Sequence, residues 1–168
     1  YGLVGWERCI RDRTSVTAGG TGDIRATTTT SGNVLLVSVT ASGDDVRISS
    51  AAGVTDGDIV DDNDIDSLNL SISAVTGVGS AAAIDTTVAN LEVFNSTSGD
   101  VNITNTGALT IAAVGPLFGE IISGATNNGG NLTIIALSPL TVAAPVSASG
   151  VVTLTATDSG VGDDLTIN

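Results

Sequence analysis

One short phrase recurs along this chain. It runs glycine or aspartate, then aspartate or asparagine, then apolar-polar-apolar. Copies read Gly99-Asp100-Val101-Asn102-Ile103-Thr104, Gly130-Asn131-Leu132-Thr133-Ile134 and Asp163-Asp164-Leu165-Thr166-Ile167-Asn168. Shorter versions read Gly107-Ala108-Leu109-Thr110-Ile111 and Gly150-Val151-Val152-Thr153-Leu154. Alternation at period two marks a half-buried strand. A strand this short cannot bury its apolar face alone, so copies must stack on one another.

The spacing of the copies separates the possible architectures. Val46, Leu68, Leu91, Leu109, Leu132 and Val152 follow one another at intervals of 18 to 23 residues. A second series, Ile84, Val101, Ile121, Leu140 and Leu165, steps by 17 to 25. Two interleaved series with a period of about 20 predict an all-β parallel solenoid with at least two strands per rung. Roughly seven rungs at about 4.8 Å each would make a body about 35 Å long. Short strands at intervals of eight to twelve residues also suit a β-sandwich, which is the alternative. No segment reads as a helix; residues 80–88 are alanine-rich but short and without an apolar stripe.

Composition supports a narrow interior. Apolar residues make up 42% of the 168, yet aromatics only 2%, so valine, isoleucine, leucine and alanine must build the core. Twenty-one glycines fit a chain that turns often, and glycine and asparagine are expected at corners needing positive φ. Residues 1–13 differ from the rest: they hold Tyr1, Trp6, Cys9 and three of the five arginines. The run Cys9-Ile10-Arg11-Asp12-Arg13 resembles a translated sequencing adapter; a natural capping segment is the alternative. Two units follow: a non-native or capping head at 1–13 and a repeat region at 14–168. The chain lacks an initiating methionine and stops within a repeat phrase, so it reads as a segment flanked by further repeats.

A net charge of −13 repels nucleic-acid phosphates and anionic lipid, and it also discourages edge-to-edge pairing. No stretch of about 18 apolar residues suggests membrane insertion. A single cysteine and no histidine leave no zinc set and no internal disulfide. The acidic run at 56–66 is the densest group of hard oxygen ligands. Asp58, Asp61, Asp62, Asp64 and Asp66 are the candidate metal ligands, with calcium the cofactor they would suit. Period-two spacing would set Asp62, Asp64 and Asp66 on one face with Asp61 opposite. An EF-hand fails, because Ser67 and Ser73 stand where its glycine and glutamate belong. The other reading is a solvated acidic loop bulging from a rung.

Enzyme chemistry finds little support. A polysaccharide lyase needs a cation for substrate carboxylates, and no basic residue follows Arg47. A hydrolase needs paired carboxylates, and nothing singles out Asp58 with Asp61, or Asp100. Phe94 and Phe118, the body's two aromatic residues, read as core or end filler.

The phrases at 98–103 and 107–112 resemble the repeat regions of large bacterial exoproteins, the filamentous-haemagglutinin and autotransporter-like adhesins. The resemblance spans roughly residues 15–168 and is to a style of repeat. It implies a right-handed parallel β-helix in a secreted or surface-attached stalk. Such a stalk would meet a host-surface, matrix or glycan ligand, and the family offers no catalytic residues to carry over. A calcium-dependent, cadherin-like binding module is the second expectation, and a carbohydrate-active β-helix enzyme the third.

Overall fold

In the computed structural model, residues 15–58, 62–137, 139–157, 160, 162 and 164–168 are described. The head at 1–13 and Asp61 lie outside them. The described chain is all-β, with parallel strands stacked as a solenoid of about seven turns. Every strand pairing is parallel, which removes the sandwich.

Three long aliphatic columns run up the interior, beside shorter ones such as Ile84, Ile103, Ile134 and Leu154. The first stacks Ile24, Val46, Leu70, Leu91, Ile111, Val142 and Ile167, one per turn. The second stacks Ala26, Ile48, Ile72, Val93, Ala125 and Val146. The third stacks Val34, Val54, Val78, Val101, Leu132 and Val152. The middle members of all three are fully buried. Branched aliphatic side chains suit this interior, because each nests against a near-copy of itself one turn away. Complete burial of each large member contributes about 1.5–3 kcal/mol.

Some of the rung partners expected from spacing are displaced. Val46 stacks on Leu70, while Leu68 sits at a corner and is 44% exposed. Leu91 stacks on Ile111, and Leu132 belongs to the column of Val101. Ile121 belongs to no column and is 83% exposed. The turn from Val46 to Leu70 takes 24 residues and that from Leu91 to Ile111 takes 20. From Ile111 to Val142 it takes 31, because residues 112–124 leave the stack.

The recurring phrase now has a mechanical reading. The side chain after its glycine accepts a hydrogen bond from the backbone of the next turn. Asp100 Oδ1 accepts from Asn131 N at 2.8 Å, and Asn131 Oδ1 accepts from Val151 N at 2.9 Å. Asn33 Oδ1 does the same for Gly53 N at 2.9 Å. The glycine makes room for that oxygen: a Cβ on Gly130 would overlap Asp100 Oδ1. Gly99 is needed for a second reason, since it turns the corner at φ 85°.

Corner asparagines act differently from the expectation. Among the described residues no asparagine has positive φ, and Phe118 is the only non-glycine residue that does. Instead, Asn95, Asn105 and Asn127 point inward, fully buried, and bind the turns from inside. Asn95 Nδ2 donates to Asn127 Oδ1 at 2.8 Å, and its Oδ1 accepts from Gly77 N at 2.9 Å. Asn127 donates onward to Asn131 O at 2.6 Å. Such a ladder satisfies the polar corner atoms that stacking removes from water.

Candidate functional site

The acidic run divides when folded. Asp58 and Asp62 line a cleft of about 370 Å³ with Ser15, Ser38 and Asn63. Asp64 is buried at the foot of the next strand. There its Oδ2 accepts from Asp85 N at 3.0 Å. Burial pushes the Asp64 carboxyl up to about 7; the carboxylates of Asp56, Asp85 and Asp58 push the same way, and the bond from Asp85 N opposes them. Asp66 lies on the strand Ile65–Ala74, paired with Thr40 and Thr87, and is half-buried. So Asp62 and Asp66 do not share Asp64's burial. Asp61 falls outside the described residues. Among the described residues, no group of three or more histidine, cysteine, aspartate or glutamate side chains is arranged to hold a metal ion.

A second place concentrates the chain's rarer chemistry. In the strands Ile24–Thr27, Ser38–Ser49, Ile65–Ala74 and Ile84–Asn95, one position lies between the first two interior columns. It is occupied turn by turn by Arg25, Arg47, Ser71 and Glu92, in register. Alternation points these side chains away from the core. At the next turn the strand breaks at this very position. Ile111 stacks on Leu91 and Ala125 on Val93, and residues 112–124 fill the place of a single residue. They form a flap.

The flap folds back over the ladder beneath it. Glu92 Oε2 accepts from Val114 N at 2.8 Å and Gly115 N at 3.3 Å. Its Oε1 accepts from Ser71 Oγ at 2.6 Å, and Ser71 Oγ in turn accepts from Arg47 Nη1. Arg47 Nη2 lies 3.6 Å from Glu120 Oε2 of the flap. Arg47 and Glu92 are fully buried as a result. Burial lowers the Arg47 pKa from its ordinary value, Glu120 and Glu92 counter that, and Arg25 adds to it. The Arg47 Nε and Nη2 atoms have no hydrogen-bond partner among protein atoms.

The tip of the flap is a tight turn, closed by Glu120 N donating to Leu117 O at 3.0 Å. Its two central residues, Phe118 and Gly119, have φ of 51° and 84°. That geometry favours asparagine and glycine, so phenylalanine there opposes the local preference. Phe118 instead receives the Arg25 guanidinium at 5.9 Å from its ring centre. Beside the flap, Ser73, Phe94, Glu120, Ile121, Ser123 and Thr126 line an open groove of about 390 Å³.

Residues 15–168 contain two arginines, two glutamates and two phenylalanines. All six lie at this flap and its groove. Reasoning from sequence missed the grouping and read the two phenylalanines as filler. The available signal was the long interval between Thr110 and Ala125, which holds no strand phrase but does hold Pro116, Phe118 and Glu120.

The chain matches no protein-family model, no curated protein and no solved structure.

Proposed function

We propose that this chain is a structural segment of a secreted or surface-attached adhesin-like exoprotein, serving as a stalk that carries binding surfaces. The observation that supports it most is the continuity of stacking. Aliphatic columns, backbone bonds and Asx bonds all run along one axis through successive turns. Each turn contacts its neighbours alone, so stiffness grows with the number of turns. The resemblance of the repeat phrase to exoprotein repeats supports the extracellular setting, and the acidic surface favours solubility in long arrays. Small-angle scattering tests the reading: an elongated particle with strand-rich circular dichroism is expected, and a compact spherical profile would overturn it.

A calcium-dependent module is the second reading. It is supported by buried Asp64, whose carboxyl is pushed up by burial and then by the charges of Asp56, Asp85 and Asp58; no three of these side chains are arranged to hold an ion among the described residues, so the ion would have to draw them together. Bound calcium would relieve that repulsion. Melting with calcium and then with chelator tests it. A rise of several degrees that Asp62→Asn and Asp64→Asn abolish supports calcium; no shift removes it.

A further inference from the structure

We propose that the groove beside the flap is a binding site for an uncharged oligosaccharide. The inference rests on the stalk reading and says where on the stalk affinity would reside. Four observations carry it.

First, the groove joins two kinds of surface that sugars require together. Phe94 and Ile121 give it an apolar wall, and Ile121 is 83% exposed with nothing covering it. Ser73, Ser123 and Thr126 contribute hydroxyls, and Glu120 a carboxylate, around the same space. An apolar patch takes the C–H face of a pyranose, and the hydroxyls and carboxylate exchange hydrogen bonds with its OH groups.

Second, one column of outward positions carries the groove along the axis, with hydroxyls on either side of Phe94. Ser73, Phe94, Thr126 and Ser147 occupy equivalent positions on successive turns. Thr126 and Ser147 lie 3.4 Å apart, oxygen to oxygen. The groove therefore continues as a polar track along the axis, with a step of about 4.8 Å. A chain of sugar units can follow such a track.

Third, electrostatics select against acidic sugars. The net charge is −13 and Glu120 lines the groove. The nearest cations are committed elsewhere, Arg47 beneath the flap with Glu120 and Glu92, and Arg25 on Phe118. Uronates and sulfated glycans would be repelled.

Fourth, a peptide is a poorer fit. Peptides that join β-structure need a free strand edge. The strands here are paired on both sides, Ile84–Asn95 with Ile65–Ala74 below and Ala125–Asn127 above. The strands that wall the groove therefore offer no free edge.

The flap wall is held by Glu92, so the ladder acts as a positioning device for the site. Titration of the whole chain, followed by amide chemical shifts, tests the proposal. The probes are cellotriose, the trimer of β-1,4-linked N-acetylglucosamine, the trimer of galacturonic acid and a neutral unstructured decapeptide. A neutral trimer is expected to give saturable shifts at Phe94, Ile121, Ser123 and Thr126. Ile121→Ser, which alters only an exposed side chain, should weaken binding about tenfold. Phe94→Ala should weaken it at least as much. Absence of saturable shifts with both neutral trimers, binding indifferent to Ile121→Ser, or preference for the galacturonate or the peptide would each overturn the proposal. Scattering from the same sample separates the two claims, since an elongated particle without sugar shifts removes the groove and leaves the stalk.

Discussion

Asp64 is the residue where sequence and environment are most at odds. A carboxyl that titrates near 7 in the folded chain and near 4 when unfolded binds its proton more tightly in the folded state. Between those pH values the native state holds a proton the unfolded state has lost. Stability attributable to Asp64 therefore falls as pH rises from about 4 to about 7, by up to about 1.4 kcal/mol per unit, and levels off above. Asp64→Asn keeps an oxygen to accept from Asp85 N and removes the charge. The variant should melt higher than the native chain at pH 8 and lose much of the pH dependence between 4 and 7. Equal melting temperatures at pH 8 would refute the account. Asn95 makes the opposite case, a buried polar group with its partners in place. Truncating Asn95→Ala removes the acceptor of Gly77 N and the donor to Ser98 O, while Asn127 Oδ1 keeps Gly129 N. A loss of about 2–4 kcal/mol in urea unfolding is expected, since each unsatisfied buried group costs about 1–3 kcal/mol.

Among the elements, the flap is where removal and neutralisation should give different results. Glu92→Ala leaves Arg47 buried with Ser71 Oγ and with Glu120 at 3.6 Å as its one nearby counter-charge, and frees the N–H groups of Val114 and Gly115. Arg47 and Glu92 meet through Ser71 Oγ and not directly, so the cost should lie at or below the low end of the about 3–5 kcal/mol for breaking a buried pair. Arg47→Met with Glu92→Gln removes both charges and keeps an acceptor for the flap. The double variant should lose less stability than Glu92→Ala alone, and hydrogen exchange at Val114 and Gly115 should be fast only in the single variant. The reverse ranking would mean the ladder does not hold the flap. Elements of this kind explain what the sequence could and could not disclose. Strand identity was legible because Val46, Leu70 and Leu91 obey a period of two within a strand. Register was less so: Leu68 and Leu70 are equally apolar, and only the corner at Gly43, where the register shifts between the Ala41–Ser67 and Asp45–Asn69 pairs, decides which turns inward. The flap was not legible as a site. Arg25, Arg47, Ser71 and Glu92 are scattered over 68 positions of sequence, and only the turn length brings them into one column. The acidic run is the reverse case. Its residues are adjacent in sequence, yet folding sends Asp58 and Asp62 to a cleft and buries Asp64.

At the scale of the whole molecule, charge opposes stacking. Thirteen net negative charges on a narrow body repel one another along its length, while the columns and ladders hold the turns together. The interior is short-range and insensitive to salt; the repulsion is long-range and is screened over about 8 Å at physiological ionic strength. Outer-face contacts such as Asn69 Nδ2 donating to Asp45 Oδ1 at 2.7 Å, and Asn90 Nδ2 to Asn69 Oδ1 at 2.8 Å, offset it locally by using amides where a second carboxylate would clash. Raising sodium chloride from about 0.01 to 0.15 M, a change in screening length from about 30 to 8 Å, should therefore raise the melting temperature. The rise should shrink below pH 4, where the carboxylates are protonated and the repulsion is gone. The buried Arg47–Glu92 ladder is shielded from the ions, so it should not reverse the trend. A melting temperature that falls with salt at pH 8 would show that exposed attractions, and not the aliphatic columns, carry the stability of the stack.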